Sequence, residues 1–243
     1  VEAKAWVIEQ IKERLRYYGA FTSIGLDIDS RKLDLPEGSP ETLESRETPA
    51  PAAAGSDTDS ESLEQIRTEL GNCTRCGLHT QRRNVVFGVG NPSADLMFIG
   101  EGPGYDEDVQ GEPFVGKAGQ LLNKIIQAID MRRDEVYIAN VVKCRPPGNR
   151  DPEPDEVATC RPFLERQIRF IRPVVICTLG RVAIQALLST EKPLRELRGT
   201  TIELGDALVV PTYHPAYLLR YPEKKRDCWE DMKLVRRLLH ERR

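Results

Sequence analysis

Four cysteines stand at spacings that suit a metal centre. Cys73 and Cys76 enclose two residues, Cys144 follows a predicted strand, and Cys160 comes sixteen positions later near the start of a predicted helix. Four thiolates in the order C-x2-C…C-x15-C hold zinc or a [4Fe–4S] cluster. The second pair lacks the C-x-x-C spacing of an ordinary zinc ribbon. Cys177 reads as the core of an apolar run and Cys228 as an ordinary helix residue. A second group of polar, Gly-rich or otherwise unusual residues stands at the ends of predicted strands: the turn Gly100-Glu101-Gly102-Pro103-Gly104, then Asn140, Gly180 and His214. Small residues in such a turn let backbone N–H groups approach a ligand. An Asn amide donates and accepts at once, and an imidazole donates to a developing anion or moves a proton. Each also has a plainer reading. The turn is an ordinary strand-to-helix connection, Asn140 a turn former and His214 a structural histidine; taken alone, Phe114 reads as a core residue and Asp106 and Asp108 as solvated loop charges.

The elements that must position these residues alternate as strand and helix. ADLMFIG (94–100), EVYIAN (135–140) and PVVICTLG (173–180) are short apolar runs that read as strands, the last buried on both faces. Helical patterns follow at 117–130, 154–170 and 181–188. Residues 200–211 read as a hairpin turned on Gly205-Asp206, and 226–242 as a closing amphipathic helix. This alternation predicts an α/β fold, a mainly parallel central sheet with helices on both faces. Ligands of such sheets sit at the carboxyl ends of the strands, where the unusual residues cluster.

Ahead of this body, residues 3–18 show helical spacing in Trp6, Ile8, Ile11, Leu15 and Tyr18. Residues 31–62 are acidic and rich in Pro, Ser, Thr and Ala, the composition of a flexible linker. The expected organisation is an N-terminal helical appendage over 1–30, a linker over 31–62 and one domain over 63–243. The net charge of −3 hides an asymmetry: residues 1–70 hold 15 acidic and 8 basic side chains, and the rest of the chain 23 and 27. The second part can therefore meet a polyanion that the first repels. No stretch approaches the ~18 apolar residues of a bilayer span, and charges run through the first twenty residues, so neither a membrane anchor nor a secretory signal is expected. Disulfides are then not expected either. The chain opens on Val rather than Met, which is read as trimming, and it is silent on any targeting segment ahead of that residue.

The stretch GEGPGYDEDVQGEPFVGKAGQLLN (100–123), with NVVKCRPPGNRDPEPDE (140–156) and HPAYLLR (214–220), resembles the family 4 uracil-DNA glycosylases, the iron–sulfur branch of that superfamily. The likeness covers residues 65–242. It implies a three-layer αβα sandwich around a short parallel sheet and the release of uracil from single- or double-stranded DNA. It also implies a [4Fe–4S] cluster on Cys73, Cys76, Cys144 and Cys160. By the same resemblance Glu101, Gly102, Pro103, Glu107, Phe114, Asn140 and His214 line the uracil pocket. Phe114 stacks on the flipped base, Asn140 pairs with its edge, and His214 donates to O2 and stabilises the leaving anion. The best-known branch has an Asp as its water-activating group; this chain offers Glu101 in a related place. Tyr217, Leu218, Leu219 and Arg220 are expected in a loop that enters the duplex and touches phosphate. Ala216 stands where the family most often has Ser, which removes a hydroxyl available to a phosphate. A related group that bonds covalently to uracil uses a His on an insertion between the third and fourth cysteines; residues 145–159 contain neither.

The expected enzyme is a cytoplasmic, nucleoid-associated monomer whose N-terminal helix is free to bind an unknown protein partner. Two other readings use the same residues: a catalytically weak protein that binds uracil in DNA, and a metal-dependent nucleotide enzyme on a similar sheet.

Overall fold

The computed structural model describes residues 61–242. The helix expected over 3–18, the appendage 1–30 and all but the last two residues of the linker 31–62 lie outside the described residues. Glu61 and Ser62 belong to the folded body. Ser62 caps helix α1 (Leu63–Leu70) in a capping box with Gln65, an S-x-x-Q signal that satisfies two end N–H groups at once. Arg166 holds the Glu61 carboxylate by donating from Nε and Nη2.

Six strands form one sheet: β1 (Val89–Gly90), β2 (Leu96–Gly100), β3 (Tyr137–Asn140), β4 (Val175–Leu179), β5 (Ile202–Leu204) and β6 (Ala207–Thr212). Their order is β1-β3-β2-β4-β6-β5, with the four inner strands parallel and the edges antiparallel. The hairpin on Gly205-Asp206 stands as expected. The two-residue β1, too short for any periodicity, was not.

Alternation along each strand serves two cores. Met97, Ile99, Ile176 and Val209 pack against Cys160, Leu164 and Ile171 of α4 (Pro154–Ile171) and Ile184 and Leu187 of α5 (Arg181–Leu188). Leu96, Phe98, Cys177 and Val210 face the other way, onto α3 (Lys117–Ala128) and α8 (Lys225–Glu241). The result is the three-layer αβα sandwich. Short helices α2 (Tyr105–Gln110), α6 (Leu194–Leu197) and α7 (Pro215–Arg220) complete it. No helix among the described residues is long and apolar enough to cross a membrane.

Candidate active site

From β2 the chain passes first to β3 on one side and later to β4 on the other, which opens a crevice at the carboxyl end of β2. Gly100 ends β2 directly opposite Asn140, which ends β3. Gly180 follows β4 and His214 follows β6. A hollow of about 930 Å³ lies at the other end of the strands, beside Pro173 and the Gly205-Asp206 turn, away from all these groups.

Asn140 is 2% exposed, and its Oδ1 has no hydrogen-bond partner. A buried acceptor left unpaired costs about 1–3 kcal/mol, which a ligand donor would recover. A side chain on Gly100 would come within 2.4 Å of that Oδ1 and 2.6 Å of Phe114 Cζ. Glycine is therefore required where the amide and the ring converge. Phe114 is buried and holds a left-handed backbone with φ of 54°, a conformation that costs an aromatic residue about 1–2 kcal/mol. Its neighbours hold it there. Glu107 Oε1 accepts the N–H groups of Val115 and Gly116 at 3.0 and 3.1 Å, and Oε2 accepts that of Gly104 at 3.1 Å. The Glu107 carboxylate thus ties the glycine turn to the Phe114 loop, where a pocket-edge acid was expected.

Glu101 continues the β2 pairing by accepting the Val142 N–H at 3.1 Å. Burial pushes its carboxyl up to about 7, with Asp151 adding to the effect and Arg181 opposing it. A carboxylate near neutrality is suited to take a proton from water. His214 is partly buried, and its ring centroid is 5.5 Å from that of Phe114. Its Nδ1 caps α7 by accepting the Ala216 N–H at 3.1 Å. Burial, helped by the Arg220 charge, lowers its pKa to about 4. The ring is neutral at pH 7, and its proton sits on Nε2.

Two expectations change. The Tyr217–Arg220 stretch is helix α7 rather than a loop, because Pro215 at its first position and the His214 cap start a helix there. Leu218 then faces inward at 1% exposure and cannot enter a duplex, whereas Leu219 is 43% exposed. Tyr217 is sandwiched between Tyr213 and Tyr221, with centroids at 5.1 and 4.6 Å, and Arg220 is exposed. Asp108 is a buried anchor rather than a solvated charge: its Oδ1 accepts the backbone N–H of Arg83 at 2.8 Å. Gly102 and Pro103 remain in the turn at the crevice.

The residue composition alone missed Lys143, which is fully buried. Its Nζ donates to the Asn140 carbonyl at 2.9 Å and to Gln167 Oε1 at 2.6 Å. Burial lowers its pKa to about 8. The available signal was one charge inside the otherwise apolar run after Asn140. Asp151 and Arg181, thirty residues apart, carry no joint signal in sequence.

Among the described residues no three His, Cys, Asp or Glu side chains are drawn together into a preassembled metal site. The four cysteines nonetheless suit a thiolate-bound group. Cys73 and Cys76 both act on the charge of Cys160, and Cys160 and Cys76 on that of Cys144. Three sulfurs already accept N–H groups at 3.3 Å: Cys73 from Arg75, Cys144 from Arg82, and Cys160 from the Lys143 backbone. Donors of this kind stabilise sulfur that carries negative charge.

The family model of the Uracil DNA glycosylase superfamily matches residues 87–233. The type-4 uracil-DNA glycosylase of Sulfurisphaera tokodaii is 44% identical over 187 residues, 73% of this chain and 85% of the relative. That of Archaeoglobus fulgidus is 43% identical over 183 residues, 72% and 92% of the two chains. That of Thermotoga maritima is 47% identical over 165 residues, 67% and 86%. The chain therefore belongs to the uracil-DNA glycosylase superfamily, on its type-4 branch.

Proposed function

We propose that the protein removes uracil from DNA by hydrolysing the N-glycosidic bond, leaving an abasic site. The observation that carries this reading is the buried, unpartnered Oδ1 of Asn140 beside the Phe114 ring. A flipped uracil offers N3–H to that oxygen and O4 to the amide Nδ2, while its face stacks on Phe114. Cytosine presents the reverse pattern at the same edge. As the bond breaks, negative charge gathers on the base, and the neutral His214 donates Nε2–H to O2. Glu101 orients water toward the sugar carbon and accepts its proton.

Cys73, Cys76, Cys144 and Cys160 would hold a [4Fe–4S] cluster. Its contribution when bound is structural, because it pins the segments before β1 to the loop after β3 and to α4. The reading extends to a monomer acting at the nucleoid, with the N-terminal helix of residues 1–30 as the element that meets a protein partner. The test is release of free uracil from a labelled oligonucleotide without added cofactor. Binding without release would overturn the enzymatic reading.

A further inference from the structure

Tyr105 directly follows the glycine turn and is 52% exposed. The guanidinium groups of Arg83 and Arg145 lie 5.5 and 5.2 Å from its ring centroid. Neither arginine has a carboxylate partner among the described residues. Two buried residues, Asp108 and Pro146, tie this group to the crevice, and an exposed hydrogen bond steadies Arg145. Asp108 holds the Arg83 backbone from within α2, the helix that Tyr105 begins. The ring of Pro146, next to Arg145, lies where a side chain on Gly102 would reach it. Arg145 Nε is held by Asn149 Oδ1 at 2.7 Å. Two cations without carboxylate partners among the described residues, both over one exposed aromatic ring beside the glycine turn, match the charged and apolar surface of a sugar–phosphate strand.

We propose that Arg83, Tyr105 and Arg145 clamp the backbone of the strand that carries the base in the pocket. The proposal rests on the reading of that pocket as a uracil site. Each arginine neutralises one phosphate and Tyr105 packs against the sugar between them.

The test is a titration of a single-stranded oligonucleotide carrying a non-hydrolysable uracil nucleotide, between about 50 and 200 mM salt. Arg83→Gln/Arg145→Gln is expected to weaken binding about tenfold at the lower salt and to reduce the logarithmic salt slope by about 1.4, roughly 0.7 for each phosphate left without its cation. Arg83→Lys/Arg145→Lys keeps the charges and should restore most of the slope, which a folding defect would not allow. The control Arg132→Gln/Arg237→Gln removes the same charge elsewhere, Arg132 lying before β3. A clamp double variant that matches this control in affinity and slope overturns the proposal. Uracil release by the wild-type chain, measured in parallel, is independent of that comparison. Its absence together with a reduced slope would leave the phosphate clamp standing and remove the uracil reading.

Discussion

His214 Nδ1 accepts the backbone N–H of Ala216 at 3.1 Å, so a single helix cap also fixes the imidazole tautomer. The side chain of residue 216 has no part in this bond, and Ala serves as well as Ser. With Nδ1 occupied, Nε2 is the donor, and its contribution grows as the base becomes anionic. His214→Ala should lower the single-turnover rate by roughly 10²–10³, as loss of one oxyanion donor does. His214→Ser keeps a capping oxygen but is too short to reach the base, so it should lose the rate while melting nearer the wild type. Single-turnover rate and melting temperature on one preparation separate the roles. An intact rate per folded molecule would remove His214 from the chemistry.

Asn140→Asp replaces a donor–acceptor pair with a carboxylate that accepts but does not donate. The rate on uracil should fall by at least about 10², because the site's remaining polar groups lose their complement. Lys143→Met should produce part of the same loss, since the Asn140 carbonyl loses its charged donor. Excision rates on uracil and cytosine oligonucleotides provide the check; an unchanged uracil rate for Asn140→Asp would mean that this amide does not read the base.

Glu101 sets the expected pH dependence. Its carboxyl is held near 7, so the fraction able to accept a proton falls about tenfold for each unit below that. His214 is already neutral above about pH 5 and adds no step between pH 6.5 and 8. Uracil excision should therefore rise through pH 7, and Glu101→Gln should flatten the profile at a rate lower by about 10² or more. Stability moves the opposite way. A folded pKa above the ordinary 4.5 gives stability that is present below pH 4.5 and lost as pH rises through 7. Glu101→Gln should melt above the wild type at pH 8 and lose that advantage at pH 5. A pH-independent wild-type rate would rule out Glu101 as the base.

Loss of one cysteine ligand should act on the whole domain. Cys144→Ala should lower iron content and melting temperature together, and chelation of the wild type should follow the same course. Iron analysis, absorbance near ~400 nm and thermal unfolding report the result. Full stability with normal excision would mean that these cysteines hold no cluster.

Much of this was legible in the sequence because it is local. Leu96–Gly100 and Val175–Leu179 are apolar runs too short for helices, and Gly205-Asp206 is a hairpin turn by chemistry alone. Two equally local signals go unread: the S-x-x-Q box at Ser62, which composition assigns to the linker, and the His-Pro start of α7, which is expected as a loop.

The amino-acid sequence by itself determined the strand–helix alternation, the cysteine spacing and the residue types available for recognising a base. Only the tertiary structure decided which of them meet. It brought Asp151 and Arg181 around Glu101, turned Leu218 into the core, and made Asp108 and Glu107 anchors for backbone N–H groups. It also buried Lys143 completely, against the ordinary preference of a lysine for water. The physical reason is that side-chain role follows burial and partner. Both are set by which strand ends the parallel crossovers bring together, and no spacing along the chain encodes that distance.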